Sequence, residues 1–365
     1  MYQKIIHALK SDVVLIVSMC LAVLSCFIVP PDAGYLDYID FHTLIILFCL
    51  MLIVEGLKEQ NFLQSIGSRI LKKVCTERGI ALALVFLCFF SSMLITNDVA
   101  LITFVPFGLM VLGMAGMESR LCYAVTLMTI AGNLGSMFTP IGNPQNLYLY
   151  SLSGLDIQGF LRLTGPYTAA AGILLAVCVF TVVRQAKLAV RLDAPVPLNL
   201  PEVWFYMALF AACILTVAGF IPHLLLFTAV SGLLLLRNRR LFVRIDYSLL
   251  LTFLFFFIFV GNIKQIEELR QLIVSFLAGR DRLFSAALSQ IISNVPAAML
   301  LSGYSDNTNE LIIGTNIGGL GTLIASMASL ISYKQISIHY PLLKKKYFAT
   351  FTVLNLAFLV ILYIL

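Results

Sequence analysis

The amino-acid sequence predicts an all-α polytopic membrane protein with about nine full crossings, two re-entrant hairpins and two broken helices, arranged as an inverted repeat. Three observations predict this fold: the composition, the lengths of the uncharged segments and the placement of the basic residues. Of the 365 residues, 60% are hydrophobic and 12% are charged, against roughly 25% charged residues in a soluble domain. This composition excludes secreted disulfide scaffolds, disordered tails and nucleic-acid binders. We expect 1–365 to form a single membrane domain.

The uncharged segments define the crossings, because about 17–20 apolar residues span a hydrocarbon core of about 30 Å. Two further apolar segments, 79–115 and 283–304, carry polar clusters at their centres and are predicted to be re-entrant hairpins. The arms of 283–304 rise only about 15 Å each as helix, too little to cross twice, whereas 79–115 can also be read as two full spans. The predicted crossings are 12–29, 41–57, 121–152, 165–183, 203–219, 221–236, 247–263, 309–333 and 347–365.

The basic residues set the orientation, since cytoplasmic loops carry an excess of Lys and Arg. With the N-terminus in the cytoplasm and the C-terminus outside, nineteen of the 24 basic residues fall on the inner side. The five on the outer side are Arg162, Lys264, Arg270, Arg280 and Arg282.

The two halves of the chain resemble each other in the order of their elements. An apolar run from Asp40 to Lys58 matches one from Asp246 to Lys264, and each is followed by an amphipathic stretch, a hairpin, a Gly- and Asn-rich segment and a final span. The first repeat covers 12–183 and the second 221–365. The single span 203–219 between them inverts the second repeat, which is a recurrent plan of secondary transporters.

Four polar interruptions mark where a binding site is expected. Unwound helices offer carbonyl and Asn oxygens to a small cation, and helix N-termini attract an anion. For the glycines, close helix packing is an alternative, because Gly314 and Gly318 have small-xxx-small spacing. Buried asparagines need polar partners, so their concentration at the breaks favours a site. These residues are Asn97, Asn133, Asn143, Asn146, Asn294 and Asn316.

Asp98 is the only acidic residue predicted near the bilayer centre, where a charge costs several kcal/mol unless it is paired or hydrated. No Lys or Arg lies within the predicted spans near that depth. We therefore expect Asp98 to carry or tune a coupling cation, either Na⁺ or H⁺. The alternative is that its carboxylate caps the N-terminus of the second hairpin arm. Its repeat counterpart is Val295, so the two halves are not chemically equivalent.

These motifs resemble the ion transporter superfamily, specifically the ArsB/NhaD-type permeases and the related divalent-anion/sodium symporters (DASS). The resemblance covers the whole chain and implies two opposed hairpins, a homodimer and elevator-like movement. In the carboxylate symporters both hairpin tips read Ser-Asn-Thr and bind substrate and sodium. The Thr-Asn-Asp tip departs from that pattern and is closer to the arsenite-permease branch. The motifs are Ile95–Ala100, Gly132–Gly135, Pro140–Asn146, Ser293–Pro296 and Asn316–Ser326.

The resemblance and the breaks together predict two sets of site residues. Substrate is expected at Thr96, Asn97, Asn143, Ser293, Asn294, Pro296 and Thr322. A cation is expected at Asp98, Asn133, Gly135, Thr139, Asn146, Thr315, Asn316 and Gly318. No metal other than Na⁺ and no further cofactor is expected.

The predicted function is secondary active transport of a small anion, an inorganic oxyanion or a carboxylate, coupled to Na⁺ or H⁺ in the inner membrane. Two alternatives stay open, a Na⁺/H⁺ antiporter and a passive anion channel. The expected partners are the anionic substrate, the lipid bilayer and a second copy of the chain. An intramembrane enzyme is not expected, because the sequence shows no nucleophile–base set and no metal cluster.

Overall fold

The computed structural model describes residues 13–187, 197–277 and 279–365, where the regular structure is helical apart from an isolated bridge between Thr76 and Lys187. The first half contains α1 (Val13–Cys26), α2 (Phe41–Glu59), α3 (Phe62–Leu71), α4 (Glu77–Leu94), α5 (Asn97–Met114), α6 (Leu121–Ser136), α7 (Pro144–Ser153) and α8 (Ile157–Val182). The second contains α9 (Leu200–Val217), α10 (His223–Asn238), α11 (Tyr247–Lys264), α12 (Glu267–Leu277), α13 (Asp281–Ile292), α14 (Asn294–Ser302), α15 (Thr308–Gly318), α16 (Met327–His339) and α17 (Lys344–Ile364). Short 3₁₀ segments occur at Ala33–Tyr38, Glu118–Arg120, Arg239–Val243 and Pro341–Leu343.

Seven helical segments in the described residues are long and apolar enough to cross a membrane. The prediction of an all-α polytopic membrane protein is thereby confirmed. The count of about nine crossings stays a prediction, as does the cytoplasmic N-terminus, which lies outside the described residues. The seven segments are Phe41–Glu59, Glu77–Leu94, Asn97–Met114, Ile157–Val182, Leu200–Val217, Tyr247–Lys264 and Pro341–Ile364.

The same order of elements occurs twice in the described chain. The helices α1 to α8 correspond one by one to α10 to α17, and α9 lies between the two sets. The first two helices of each set pack on the other set, since α1 lies along α11 and α10 lies along α2. The limits of the repeats at 12–183 and 221–365 stay predictions.

The two hairpins differ in length. The arms of the first, α4 and α5, have 18 residues each and are long enough to span a bilayer. The arms of the second, α13 and α14, have 12 and 9 residues and rise only about 18 and 14 Å. The segment 79–115 can therefore form either a re-entrant hairpin or two full spans, whereas the second hairpin is too short for two crossings.

Each Gly- and Asn-rich segment is a broken helix. The chain leaves α6 at Ser136 and re-enters helix at Pro144, where Asn143 accepts a hydrogen bond from the Asn146 backbone N–H at 2.9 Å. Asn at the N-cap followed by Pro at the first helical position is a favoured helix start. In the second half, the break separates α15, which ends at Gly318, from α16, which begins at Met327. The spans predicted at 121–152 and 309–333 are thus interrupted at their polar centres.

The helix α6 forms the centre of the hairpin side of the molecule. Every one of its residues except Tyr123 is buried, and it packs against α4, α5, α8, α16 and α17. A helix that is buried on all sides is mostly apolar and has no contact with water. Its few polar side chains must therefore find partners within the protein. Its last turn carries Asn133 and Gly135.

Gly135 and Gly318 allow a close approach between each broken helix and a hairpin arm. A Cβ at Gly135 would lie 2.1 Å from the Phe89 carbonyl oxygen, and one at Gly318 would lie 2.8 Å from the Ala286 Cα. Both positions therefore pack directly against backbone. The geometry supports the packing alternative for these two glycines, and their role in cation binding stays a prediction.

We expect Gly135→Ala to destabilise the protein by about 3 kcal/mol, the upper end of overpacking effects, because the Phe89 backbone cannot move aside easily. Thermal unfolding of the detergent-solubilised protein measures this. The matched control is Gly232→Ala in α10, where a Cβ meets nothing within 4 Å and helix propensity favours Ala by up to about 1 kcal/mol. Equal melting temperatures for the two variants would contradict the close packing at Gly135.

Candidate functional site

The tip of the first hairpin is tied to the first broken helix. The Asn97 backbone N–H donates to the Gly142 carbonyl at 3.1 Å. The Asn97 side chain accepts from the Asp98 backbone N–H at 2.9 Å and donates to Asn133 Oδ1 at 3.1 Å. Asn97, the first residue of α5, thereby takes one free backbone N–H of this helix and connects the helix to the end of α6.

The tip of the second hairpin repeats these contacts. The Asn294 backbone N–H donates to the Ala325 carbonyl at 3.0 Å, and the Asn294 side chain accepts from the Val295 backbone N–H at 3.0 Å. Ser293 has a φ of +77°, a backbone conformation that costs a non-glycine residue about 1–3 kcal/mol and clusters at functional sites. Its hydroxyl donates to the Ala325 carbonyl at 3.4 Å.

Two threonines in the breaks hold the preceding hairpin arms. The Thr139 hydroxyl donates to the Met93 carbonyl at 2.5 Å, and the Thr322 hydroxyl donates to the Gln290 carbonyl at 3.0 Å. Each residue of the first hairpin is separated from its counterpart in the second hairpin by the same number of sequence positions. The counterparts in the two broken helices are likewise separated by a second constant number of positions. The two halves therefore share hydrogen bonds as well as the order of their elements.

Asn133 joins the two halves at the centre of the molecule. Its Oδ1 accepts from the Ser326 hydroxyl at 2.9 Å in addition to Asn97. Its Nδ2 lies 3.4 Å from both the Gly319 carbonyl and the Ser329 hydroxyl. The end of α6 is thus bonded to the break of the second half.

Asn316 makes the reciprocal connection from the second half to the first. Its Oδ1 accepts from Asn143 Nδ2 at 3.0 Å, and its own Nδ2 donates to Asn146 Oδ1 at 2.5 Å. Asn143 also donates to the Ser136 hydroxyl at 3.1 Å. Buried amides that are satisfied in this way specify one arrangement of the breaks.

The residues that are predicted to bind a cation lie in different surroundings. The carbonyls of Ser136, Met137 and Thr139 converge on Asn146 Nδ2, at 3.2 to 3.3 Å. Thr315 donates its hydroxyl to the Leu311 carbonyl in its own helix at 2.7 Å. Carbonyl and amide oxygens of this kind are ligands for hard cations, and cation binding by these residues stays a prediction.

Asp98 does not cap its helix. Asn97 takes the Asp98 backbone N–H, and the Asp98 Oδ1 atom is buried without a hydrogen bond to any residue that the structure describes. The capping alternative is therefore wrong for this carboxylate. A buried carboxylate oxygen without a donor is costly unless a cation or a proton joins it. Asp98 is the residue of the site that most requires a ligand.

A cavity of about 180 Å³ adjoins Asp98 and is bounded by α2, α5, the first residue of α7 and the segment before α11. Lys58 lies 3.0 Å from Glu55, and Arg244 lies 3.4 Å from Glu59. In the sequence, both basic residues lie at the ends of predicted spans, away from Asp98. In the folded protein, both line the cavity beside Asp98. The charged residues that line it are Glu55, Lys58, Asp98, Arg244 and Asp246.

The structure brings together Asn97, Asn133, Asn143, Asn146 and Asn316, while Thr96 faces the cavity with Asp98. Pro296 is buried in the first turn of α14 and Thr322 bonds the second hairpin. Sequence reasoning missed the serines that complete the network, which are Ser136, Ser326 and Ser329. It also missed Gln290, whose Nε2 donates to the Gly318 and Leu320 carbonyls. Their proximity to the breaks was the available signal.

Comparisons with known proteins show the family to which the chain belongs. A family profile described as citrate transporter (CitMHS) matches residues 4–310. The uncharacterized transporter MJ0456 of Methanocaldococcus jannaschii is 34% identical over 300 residues, 81% of either chain. The inner membrane protein YbiR of Escherichia coli is 32% identical over 305 residues, 81% of this chain and 80% of YbiR. The putative transporter arsB of Dictyostelium discoideum is 28% identical over 172 residues, 46% of this chain and 28% of that protein.

These similarities confirm the resemblance to ArsB-type and DASS-type permeases, and they identify the protein as a membrane transporter and not an enzyme. The chain belongs to the CitMHS citrate transporter family.

Proposed function

We propose that this protein is a secondary active transporter of a small anion, a carboxylate or an inorganic oxyanion, coupled to Na⁺ or H⁺. The single observation that carries the proposal is the Oδ1 atom of Asp98 at the tip of the first hairpin, which is buried without a hydrogen bond to any residue that the structure describes. The family's description as citrate transporter supports an anionic substrate.

The anion is proposed to bind in the cavity beside Asp98. Thr96 and Pro144 bring the N-termini of α5 and α7 to its wall, and helix N-termini carry about half a positive charge each. Lys58 on α2 and Arg244 in the segment before α11 add positive charges, each of which is ion-paired with a carboxylate, Glu55 and Glu59 respectively. The same cavity contains the carboxylates of Glu55, Asp98 and Asp246, which oppose an anion.

The binding of the cation and the binding of the anion are coupled through the charges that line this cavity. Glu55 is already paired with Lys58, whereas Asp98 repels an anion until a cation or a proton neutralises it. Binding of the cation therefore favours binding of the anion, and the anion favours the cation by the same factor, commonly about 5- to 150-fold. This linkage is what a symporter requires.

The experiment is uptake into proteoliposomes with imposed Na⁺ or H⁺ gradients, for a panel of citrate, succinate, phosphate, sulfate and arsenate. Accumulation of one anion above equilibrium, abolished by collapse of one cation gradient, is the expected result. Equilibration without accumulation under every gradient would show a passive channel instead.

Asp98 also favours a second candidate, a Na⁺/H⁺ antiporter in which this carboxylate exchanges the two cations. Sodium uptake that collapses an imposed pH gradient, with the same rate in the presence and absence of every anion of the panel, would establish it. An anion requirement for sodium uptake would establish symport.

We further propose that the hairpins and broken helices move as an elevator against α2, α9, α10 and α11, and that the chain forms a homodimer. The proposed location is the inner membrane, with the N-terminus cytoplasmic and the C-terminus outside. The similarity to YbiR, an inner membrane protein of Escherichia coli, supports this location. The basic residues on one side of the predicted spans support the orientation.

We expect the double substitution Lys58→Gln, Arg244→Gln to raise the KM for the anion by at least about tenfold, because hydrogen bonds to charged groups contribute about 1.5–3 kcal/mol. Initial rates of uptake over a range of anion concentrations measure it. The control is Arg239→Gln, Arg240→Gln, two exposed basic residues that line another surface pocket. An unchanged KM in the first variant would remove both side chains from the anion site.

A further inference from the structure

A second cavity, of about 490 Å³, lies between α2, α3, α4 and α9 and shares the lining residue Val54 with the charged cavity. Along α4 it is lined by a complete helical stripe at positions i, i+3, i+4, i+7, i+8 and i+11. This stripe extends for about 16 Å along the helix axis, so the cavity is elongated. Its members are Ala83, Phe86, Leu87, Phe90, Ser91 and Leu94.

The cavity is apolar and partly open. Ser91 supplies the only hydroxyl in its lining, and Phe90 and Leu94 remain 58% and 56% exposed. In a membrane-spanning protein such a surface is filled by hydrocarbon.

One end of the cavity adjoins a basic cluster. Ile70, near the end of α3, lines the cavity, and it is followed closely in the chain by Lys72 and Lys73. Together with Arg69 these residues are exposed and form no ion pair within the described part of the chain. Three basic residues that neighbour Ile70 in the chain and have no ion pair among the described residues match a lipid with an anionic headgroup.

We propose that an anionic phospholipid binds here, with an acyl chain along α4 and its headgroup on Arg69, Lys72 and Lys73. The cavity volume lies within the range of about 300–1,000 Å³ of small-molecule sites. The lipid contacts α2 and α9 on one side and the first hairpin on the other. This site shares Val54 with the proposed anion site, but its ligand contacts none of the charged residues of that site and the proposal does not depend on it.

The experiment compares binding of phosphatidylglycerol and phosphatidylcholine to the full protein in uncharged detergent, by native mass spectrometry and thermal unfolding. Each basic residue contributes about fivefold to the affinity for an anionic lipid. The triple variant Arg69→Gln, Lys72→Gln, Lys73→Gln is therefore expected to lower the preference for phosphatidylglycerol by roughly a hundredfold. The control is Lys344→Gln, Lys345→Gln, Lys346→Gln, which removes the same charge from the exposed start of α17. An equal loss in both variants, or no preference in the unmodified protein, would overturn the proposal.

Two further measurements test the acyl-chain position. Ala83→Phe fills the cavity and is expected to abolish the bound lipid, whereas Ala349→Phe on the exposed face of α17 is expected to retain it. A phosphatidylglycerol with a photoreactive chain is expected to label 83–94 in the unmodified protein, which does not depend on how the variants fold. Labelling spread evenly over the other apolar helices, or stabilisation by glycerol phosphate alone, would contradict a lipid in this cavity.

Discussion

Asp98→Asn is expected to abolish concentrative anion uptake while leaving downhill anion exchange. Asn has nearly the same shape as Asp but carries no charge and takes no proton, so it mimics the neutralised carboxylate. The buried Oδ1 of Asp98 has no donor among the described residues, so the substitution breaks no hydrogen bond at that atom. The anion therefore still binds, but its binding no longer depends on the cation.

Two assays on the same proteoliposomes separate these effects. Accumulation driven by a cation gradient is expected to fall by about 100-fold, within the range of typical coupling energies, while counterflow exchange at equal cation concentrations persists. Asp37→Asn, an exposed carboxylate, is the control and keeps both activities. Full, cation-dependent accumulation by Asp98→Asn would refute the assignment of the coupling cation to this residue.

Asn316→Leu is expected to destabilise the fold by about 2–4 kcal/mol and to abolish both accumulation and exchange. Asn316 accepts from Asn143 and donates to Asn146, so its removal takes one of two acceptors from Asn143 Nδ2 and the side-chain donor from Asn146 Oδ1. A buried polar atom left unsatisfied costs about 1–3 kcal/mol. Leu has a similar volume, which keeps the packing change small. The loss therefore reports the polar connection between the two breaks.

Asn355→Leu in α17 provides the matched control for Asn316→Leu. Asn355 is also fully buried, but it makes one hydrogen bond to the carbonyl of Phe351 in its own helix, and its Oδ1 has no partner in the described chain. Replacing it removes an unsatisfied atom, so the melting temperature is expected to hold or rise and transport to persist. Thermal unfolding and counterflow measure both variants, and equal behaviour would show that the Asn316 network has no special role.

The sequence alone predicted the location of the breaks, because Asn, Gly and Pro interrupt otherwise apolar spans at recognisable places. Asn143 before Pro144 is a local helix-start signal, and the structure places α7 there. The match of Asp40 with Asp246 likewise predicted two equivalent helix starts, and both carboxylates cap the helices that follow.

The partners across the molecule were beyond local sequence. Asn133 bonds Ser326, and Asn143 bonds Asn316, which are contacts between residues far apart in the chain that depend on how the halves interlock. The position of Arg244 was also beyond local sequence, because it lies at the end of a predicted span and only the fold brings it to the cavity beside Asp98. Local patterns specify where a helix breaks, and tertiary packing decides what the break faces.

Thermal stability of purified wild-type and Asp98→Asn protein, in Na⁺ against K⁺ or choline at equal ionic strength and over a pH series, tests the central claim most directly. A ligand that binds only the folded state at a hundredfold excess over its Kd stabilises it by about 2.7 kcal/mol. If Asp98 holds the coupling cation, the wild type gains stability either specifically in Na⁺ or as the pH falls, because protons then bind the folded carboxylate. Asp98→Asn loses that gain. A Na⁺ or pH response of the same size in both proteins, or none in either, would contradict the claim.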